Sequence, residues 1–323
     1  MRNLDSSILD LSIWRNKRLR GEVTRDQFWT EVQNDVTVIQ SMNLVASRQI
    51  EIRIKQGEML IEYTLNDGST TVAMVLQPDD LRTAPMTILS EGHYEPVQED
   101  LIVKLACASK TLVDVGANVG FYSTACARTN PNITVLAFEP NPDLTEVFLR
   151  NVLLNGVSRQ VELHTVALSE SGSRTGQLHV PPHTGSGGGS LRNLHPEEGA
   201  ARVHPIEFNT LEELFPSTQP CDLIKIDVEG NELSVLRGAL GLITQHYPTI
   251  VIELLRKWMK PFGHHPQDVI GILIPMGYEC HAIQPDGLRK IRNITEETSS
   301  TNFVFVHQSQ ERHMALIKTM LKT

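Results

Sequence analysis

The chain lacks most of what would make it easy to classify. Its four cysteines, Cys107, Cys126, Cys221 and Cys280, are spread through 323 residues with no paired spacing, which excludes a disulfide framework and a zinc site and leaves them as reduced core thiols. No apolar run reaches the ~18 residues needed to cross a bilayer. The segment "ILDLSIW" near the start has neither a basic stretch before it nor a small-residue cleavage site after it, so the expected location is cytoplasmic. Positive charge is scarce: 29 basic against 38 acidic residues give a net charge of −9, which repels a phosphate backbone and speaks against nucleic acid as a partner. The one basic cluster, "RNKRLR" at 15 to 20, reads as a solvated helix face. Internal repeats and coiled-coil heptads are absent. What remains, with 40% hydrophobic residues, is an ordinary globular protein able to bury a large core, and a homo-oligomer is compatible with that composition.

Residues 1 to about 45 read as helical, with a capping box in "TRDQFWTEV" (Thr24 as cap, Gln27 three residues on) and Phe28 and Val32 at helical spacing. From Ile50 the period becomes two: "IEIRIK", "MLIEYTL", the turn "NDG" and "TTVAMVL" predict an antiparallel meander. "QPDDLRTAP" breaks the pattern and leads into "ILSEGHYEP", read as a polar and aromatic loop. The expected division is therefore a helical and β N-terminal region over 1–90 and a main domain over 91–323.

In the main domain short β-branched runs alternate with helical patterns: "TLVDV", a helix from Gly120, "ITVLAFE", a helix through "LTEVFLRNVLLNG", "VELHTVAL", "CDLIKIDVE", a helix through "ELSVLRGALGLITQ", and "TIVIEL". This predicts an α/β fold with a parallel sheet covered on both faces. "GYECHAI" and "NFVFVH" predict an antiparallel hairpin closing one sheet edge, and the Gly- and Ser-rich "GQLHVPPHTGSGGGSLRNL" predicts a mobile loop.

A ligand in such a fold sits at the carboxyl ends of the strands, closest to the first strand-to-helix turn. Here that turn is Asp114-Val-Gly116-Ala-Asn118-Val-Gly120. A triphosphate loop would need Gly-Lys-Ser or Gly-Lys-Thr, which occurs nowhere in the chain. A dinucleotide loop aligned on Gly116 would want glycines where Asn118 and Phe121 stand. S-adenosylmethionine has no phosphate, and Asp114 suits its ammonium group directly or through water. Glu139 in "LAFEPNP", 23 residues after Gly116, suits a grip on two ribose hydroxyls, although taken alone it fits NAD equally well. In "IKIDVEGNEL" alternation puts Lys225 and Asp227 on one side of a central strand, and such burial is costly unless paired or functional. Asp227, Glu229 and Glu253 are expected to converge on the same sheet edge as Asp114 and Glu139.

Together "LVDVGANVGFYS", "AFEPNP", "NVLLNG", "VALSESG", "IKIDVEGNELSVLRGA", "IVIEL" and the upstream "GHYEP" resemble the FkbM family of S-adenosylmethionine-dependent methyltransferases over about residues 91 to 255. The resemblance implies a Rossmann-like class I methyltransferase sheet and methyl transfer to oxygen, on a hydroxyl of a sugar, glycan or natural product. By position it implies Gly116, Asn118 and Gly120 at the methionine end, Glu139 on the ribose, Ser169 near the adenine and Asp227 beside the methyl, with Tyr94 and Glu95 covering the cofactor. An NAD-dependent oxidoreductase and a non-catalytic binding module are the alternatives.

A hydroxyl acceptor calls for a base, since its oxygen is a poor nucleophile at neutral pH. Asp227 is the first candidate and Glu229 the second, ahead of His204, His264 and His265. Acceptor contacts are expected from 183–194 and 256–265, where Trp258 and Phe262 could stack on a sugar. No metal is assigned.

Overall fold

The computed structural model describes residues 50–322, apart from 56, 57, 78, 79, 81, 173, 183 and 184, together with residues 17, 20–24 and 27. Of the N-terminal helical expectation, the capping box lies within the described residues. Gln27 N–H donates to Thr24 Oγ1 (3.1 Å) and Thr24 N–H to Gln27 Oε1 (2.9 Å). Phe28 and Val32 lie outside them.

The meander forms as β1 (Ile50–Lys55), β2 (Glu58–Thr64) and β3 (Thr71–Val75), in antiparallel order β1-β2-β3. Between it and the main sheet stand α1 (Ala84–Glu91) and α2 (Pro96–Cys107). The helix α1 corrects the loop expected at "ILSE"; proline in its first turn supplies a preset φ where no N–H is needed.

The main sheet comprises β4 (Thr111–Val115), β5 (Thr134–Phe138), β6 (Val161–His164), β10 (Leu223–Ile226), β11 (Thr249–Glu253), β12 (Tyr278–Gln284), β13 (Gly287–Ile291) and β14 (Asn302–His307), in the order β13-β12-β14-β11-β10-β4-β5-β6. Neighbours from β6 to β11 run parallel, as the buried β-branched runs require. The terminal strands differ from expectation in arrangement. β12 and β14 do pair antiparallel, but β14 inserts between β11 and β12, and the edge is taken by β13. Covering the sheet are α3 (Phe121–Thr129), α4 (Pro142–Leu154), α5 (Glu232–Arg237), α6 (Leu240–His246), α7 (Pro266–Leu273) and α8 (Glu311–Met320). The single helix expected over 232–245 is two helices: they part at Gly238, where an added Cβ would lie 2.0 Å from the Ser169 carbonyl oxygen.

The run "VELHTVAL" also divides, into β6 and β7 (Ala167–Leu168). β7 joins a second sheet, β7-β9-β8, with β8 (Arg174–Val180) and β9 (Arg202–Asn209). The glycine-rich stretch is thus no free loop. Its first part is a strand, and an added Cβ at Gly185 would meet Asp80 Oδ1 at 2.1 Å, at Gly187 the Arg82 carbonyl oxygen at 2.5 Å, and at Gly188 Arg82 Nη1 at 2.9 Å. The glycines here serve close packing against Asp80 and Arg82.

Alternation sorts the core onto two faces. Leu112 and Leu223 join a cluster with Phe121, Phe148 and the meander's Ile61, Tyr63 and Met74, while Val113, Val115, Ile224 and Ile226 pack with Leu233, Leu236 and Phe305 on the other face. Meander and main sheet therefore share one core. Asn151 of α4 and Asn155, which caps its C-terminus, complete the joint: Asn155 accepts from Ala73 N–H and donates to its carbonyl (2.9 and 2.6 Å), and Asn151 accepts from Val75 N–H (2.8 Å) while donating to the Val119 carbonyl (2.8 Å). Asn151 is fully buried, so Asn151→Ala strands a donor and an acceptor. A loss of about 3 kcal/mol is expected, read as a lower urea midpoint at unchanged slope.

Candidate functional site

β4 ends at Val115 and the chain turns back over the sheet. Gly116 and Ala117 donate their N–H groups to the Phe138 carbonyl at the end of β5, and Asp227 N–H bonds the Val115 carbonyl. This brings three strand ends together. Gly116 stands at φ +75°, and a Cβ there would lie 1.7 Å from the Asp227 carbonyl oxygen. Asn118 is also left-handed, at φ 52°, a conformation asparagine tolerates better than most residues.

Around this loop lies a cavity of about 350 Å³, within the range of small-molecule sites. Tyr94, Glu95, Gly116, Asn118, Glu139, Asp227 and Glu229, all expected at the site, line it, and so does Glu253. Three expected cofactor residues do not. Asp114 points to the α3 face, where Ser123 Oγ donates to it (2.6 Å) and Lys225 Nζ lies 3.7 Å away. Gly120 packs against the Phe148 ring. Ser169 is buried, donating to the Ser171 carbonyl and receiving Arg174. The wall at that end is Val166, Ala167 and Leu168 instead.

Glu139 is 8% exposed. Its Oε2 accepts from Asn118 N–H and its Oε1 from Asn141 N–H, both at 2.9 Å. Each oxygen keeps lone-pair capacity for a ligand hydroxyl. Burial pushes its pKa up to about 7, against the pull of those two N–H groups.

The opposite wall is acidic. Burial raises the Glu95 pKa even though Tyr122 Oη and Gln98 Nε2 donate to Oε2 at 2.6 and 2.7 Å. Glu229 is pushed up to about 8 by burial and by the charges of Asp227 and Glu232, and Glu253 is raised well above the usual carboxylate range by burial and by the charges of Asp227 and Glu229. Among these carboxylates sits Lys225, buried, its Nζ donating to the Gly116 carbonyl (3.0 Å) and lying 3.4 Å from Asp227 Oδ2. Burial works against its charge, but Asp227, Asp114 and Glu95 outweigh it and raise its pKa. One lysine thus pins the glycine loop and orients Asp227. The turn beyond is held by Glu232, whose Oε1 accepts from Gly230 N–H (2.8 Å) and Val228 N–H (3.3 Å).

The proposed histidines stand elsewhere. His204 Nε2 is 3.3 Å from Asp143, His264 stacks on Phe262, and His265 caps α7 by accepting from Gln267 N–H (3.0 Å); none lines the cavity. Trp258 and Phe262 also stay off the cavity wall and pack over Gly230. Sequence reasoning missed Arg82, which lines the cavity from the segment before α1. Nothing in "DDLRTAP" marks it. Among the described residues, no group of three His, Cys, Asp or Glu side chains is arranged to hold a metal, and no helix is long and apolar enough to cross a membrane.

A family model described as the methyltransferase FkbM domain matches residues 114–280. Methyltransferase sdnD of Sordaria araneosa is 30% identical over 188 residues, covering 48% of this chain and 69% of that protein. Hexuronic acid methyltransferase AglP of Haloferax volcanii is 28% identical over 174 residues, covering 54% of this chain and 65% of that protein. Among solved structures, the FkbM methyltransferase of Methylobacillus flagellatus matches at 18% identity and a TM-score of 0.38, over 61% of this chain and 43% of that one.

Proposed function

The chain belongs to the FkbM methyltransferase family, and from that membership we propose that it uses S-adenosylmethionine to methylate a hydroxyl of a sugar, glycan or natural-product acceptor. The observation that carries the reading is Glu139: a buried carboxylate at the end of β5, fixed by two backbone N–H groups and facing a cavity whose other charges are mostly acidic. That charge suits a ligand with an ammonium and a sulfonium and no phosphate. The relative that acts on a hexuronic acid, by its name, supports a sugar-type acceptor.

In this reading Gly116 and Asn118 hold the methionine end, Glu139 the ribose, and Val166 to Leu168 the adenine. When bound, the cofactor supplies an electrophilic methyl group on a sulfonium. The chain's contribution is alignment and charge. The two carboxylates beside the reaction line have different surroundings, and the difference divides their work. Asp227, held 3.4 Å from Lys225 Nζ, is fixed in orientation and presents negative charge to a cationic ligand. Glu229, pushed up to about 8 in the free protein, is the carboxyl that takes the acceptor's proton once the positive charge of the bound cofactor favours its ionised form.

Isothermal titration tests the cofactor assignment. S-adenosylmethionine should bind, and Glu139→Gln, which sets an amide N–H₂ against a backbone N–H, should weaken it about 100-fold. No heat with the intact protein, or binding of NADH in its place, would overturn the reading.

A further inference from the structure

We propose that Arg82 is an acceptor-recognition residue, reading an oxyanion (a carboxylate or a phosphate) that the methyl acceptor carries in addition to the hydroxyl it presents for methylation. The proposal rests on the methyltransferase reading of the same cavity.

Arg82 lines that cavity together with Asp227 and Glu229. Its guanidinium has five donors, and the described side chain it bonds is His195, through Nη1 and Nε2 at 3.2 Å. Arg150, Arg202 and Arg237 each reach a carboxylate at 2.8, 2.8 and 3.4 Å. Among the described residues no carboxylate stands within ion-pair distance of Arg82. In a chain of net charge −9, a half-buried arginine left without an acid on a cavity wall is directed at something else.

It is also held in place. His195 is 5% exposed, its Nδ1 lies 3.3 Å from Glu197, and its ring meets Trp258 edge-on with centroids 4.8 Å apart. With Nδ1 donating to that carboxylate, Nε2 is the acceptor for Arg82. On the other side Gly187 and Gly188 approach so closely that a Cβ on either would collide with Arg82. The same glycine segment runs on to Ser190, whose Oγ donates to the Glu229 carbonyl (2.8 Å). Residues 187–190 therefore touch both the arginine and the backbone of the candidate base. A guanidinium fork ordered before binding loses little entropy on meeting a planar oxyanion.

The surrounding charge gives the arginine directional force. Over most of the cavity wall Glu95, Asp227, Glu229 and Glu253 offer an anion no positive charge, and Lys225 is already held by Asp227 and Asp114, so an anionic acceptor is stable in the orientation that puts its charge on Arg82 and its hydroxyl toward Glu229. Arg82 and Lys257 are the cations that temper the rise in the Glu229 pKa, which sets both near that carboxylate.

Two measurements test this. An extract of the source organism is separated on an anion exchanger before assay, and labelled-methyl transfer is measured with each fraction. Acceptor activity is expected in the retained fractions. Arg82→Gln should raise KM for them at least about tenfold with little change in kcat or in S-adenosylmethionine affinity, and Arg82→Lys should recover part of the loss. Acceptor activity in the unretained fraction, or an unchanged KM in Arg82→Gln, overturns the proposal. In the second, acetate and inorganic phosphate are titrated into the intact protein and into Arg82→Gln; binding about tenfold or more weaker in the variant is expected, and equal binding overturns the proposal even if no fraction yields an acceptor. A preference between the two anions separates phosphate-bearing from carboxylate-bearing acceptors. Loss of cofactor heat in the unmodified protein is a failure of the methyltransferase reading, and leaves the anion titration to decide on Arg82.

Discussion

Gly116→Ala is expected to abolish measurable S-adenosylmethionine binding and to cost on the order of 3 kcal/mol of stability. Two penalties coincide at this position. The backbone sits at φ +75°, where any Cβ is strained, and the added carbon would fall 1.7 Å from the Asp227 carbonyl oxygen. That neighbour cannot step aside, because it belongs to a backbone whose N–H already bonds the Val115 carbonyl (3.0 Å). Relief must come from moving the glycine loop, which breaks the Lys225 bond to the Gly116 carbonyl and releases Asp227 from its lysine. Thermal unfolding with and without S-adenosylmethionine checks both parts: a lower midpoint, and loss of the upward shift that ligand gives the intact protein. A variant that keeps its ligand-induced shift would contradict this account of the loop.

The second large effect is kinetic. Glu229→Gln is expected to lower kcat by about 10²- to 10⁴-fold, the usual range for removing a general base, while cofactor affinity changes far less. The pH profile carries the sharper test. A carboxyl pushed up to about 8 is protonated, and useless as a base, below that pH. In the intact protein kcat/KM for the cofactor, which reports the free protein, should therefore rise with pH and level off above about 8. The midpoint in kcat should lie lower, because a bound cation favours the ionised carboxylate. In Glu229→Gln the rise should vanish. If it persists, the proton goes to Asp227 or to water.

Much of this site could be read from the chain because its signals are local. Gly116, Asn118 and Glu139 fall at strand ends whose positions follow from short β-branched runs, and period-two alternation is enough to set Lys225 beside Asp227. Asp114 shows where that reasoning stops. Its position in the strand was legible, but whether a side chain two residues before the turn reaches the ligand depends on which face of the sheet it takes, and Asp114 shares its face with Leu112 beneath the loop. Ser169 fails in the same way, one residue past the wall formed by Leu168. Features that depend on distant partners were less legible still. β8 and β9 are joined through a glycine-rich stretch whose composition resembles a linker, and only contact with Asp80 and Arg82 explains it. β14 fits between β11 and β12 because of register with strands far away in sequence, and Arg82 acquires its position from a glycine segment about a hundred residues downstream.

The asparagine joint between α4 and β3 has a consequence of another kind. An outer strand presents a row of unpaired amides and carbonyls that invites another chain to add itself. At β3 part of that row is already filled: Asn155 bonds both groups of Ala73, and Asn151 takes the N–H of Val75. Side-chain amides here imitate a neighbouring strand while having no edge of their own to pass on. The meander is thereby closed to sheet extension on this side, a protection against self-association that takes one helix position, one helix cap and no additional strand.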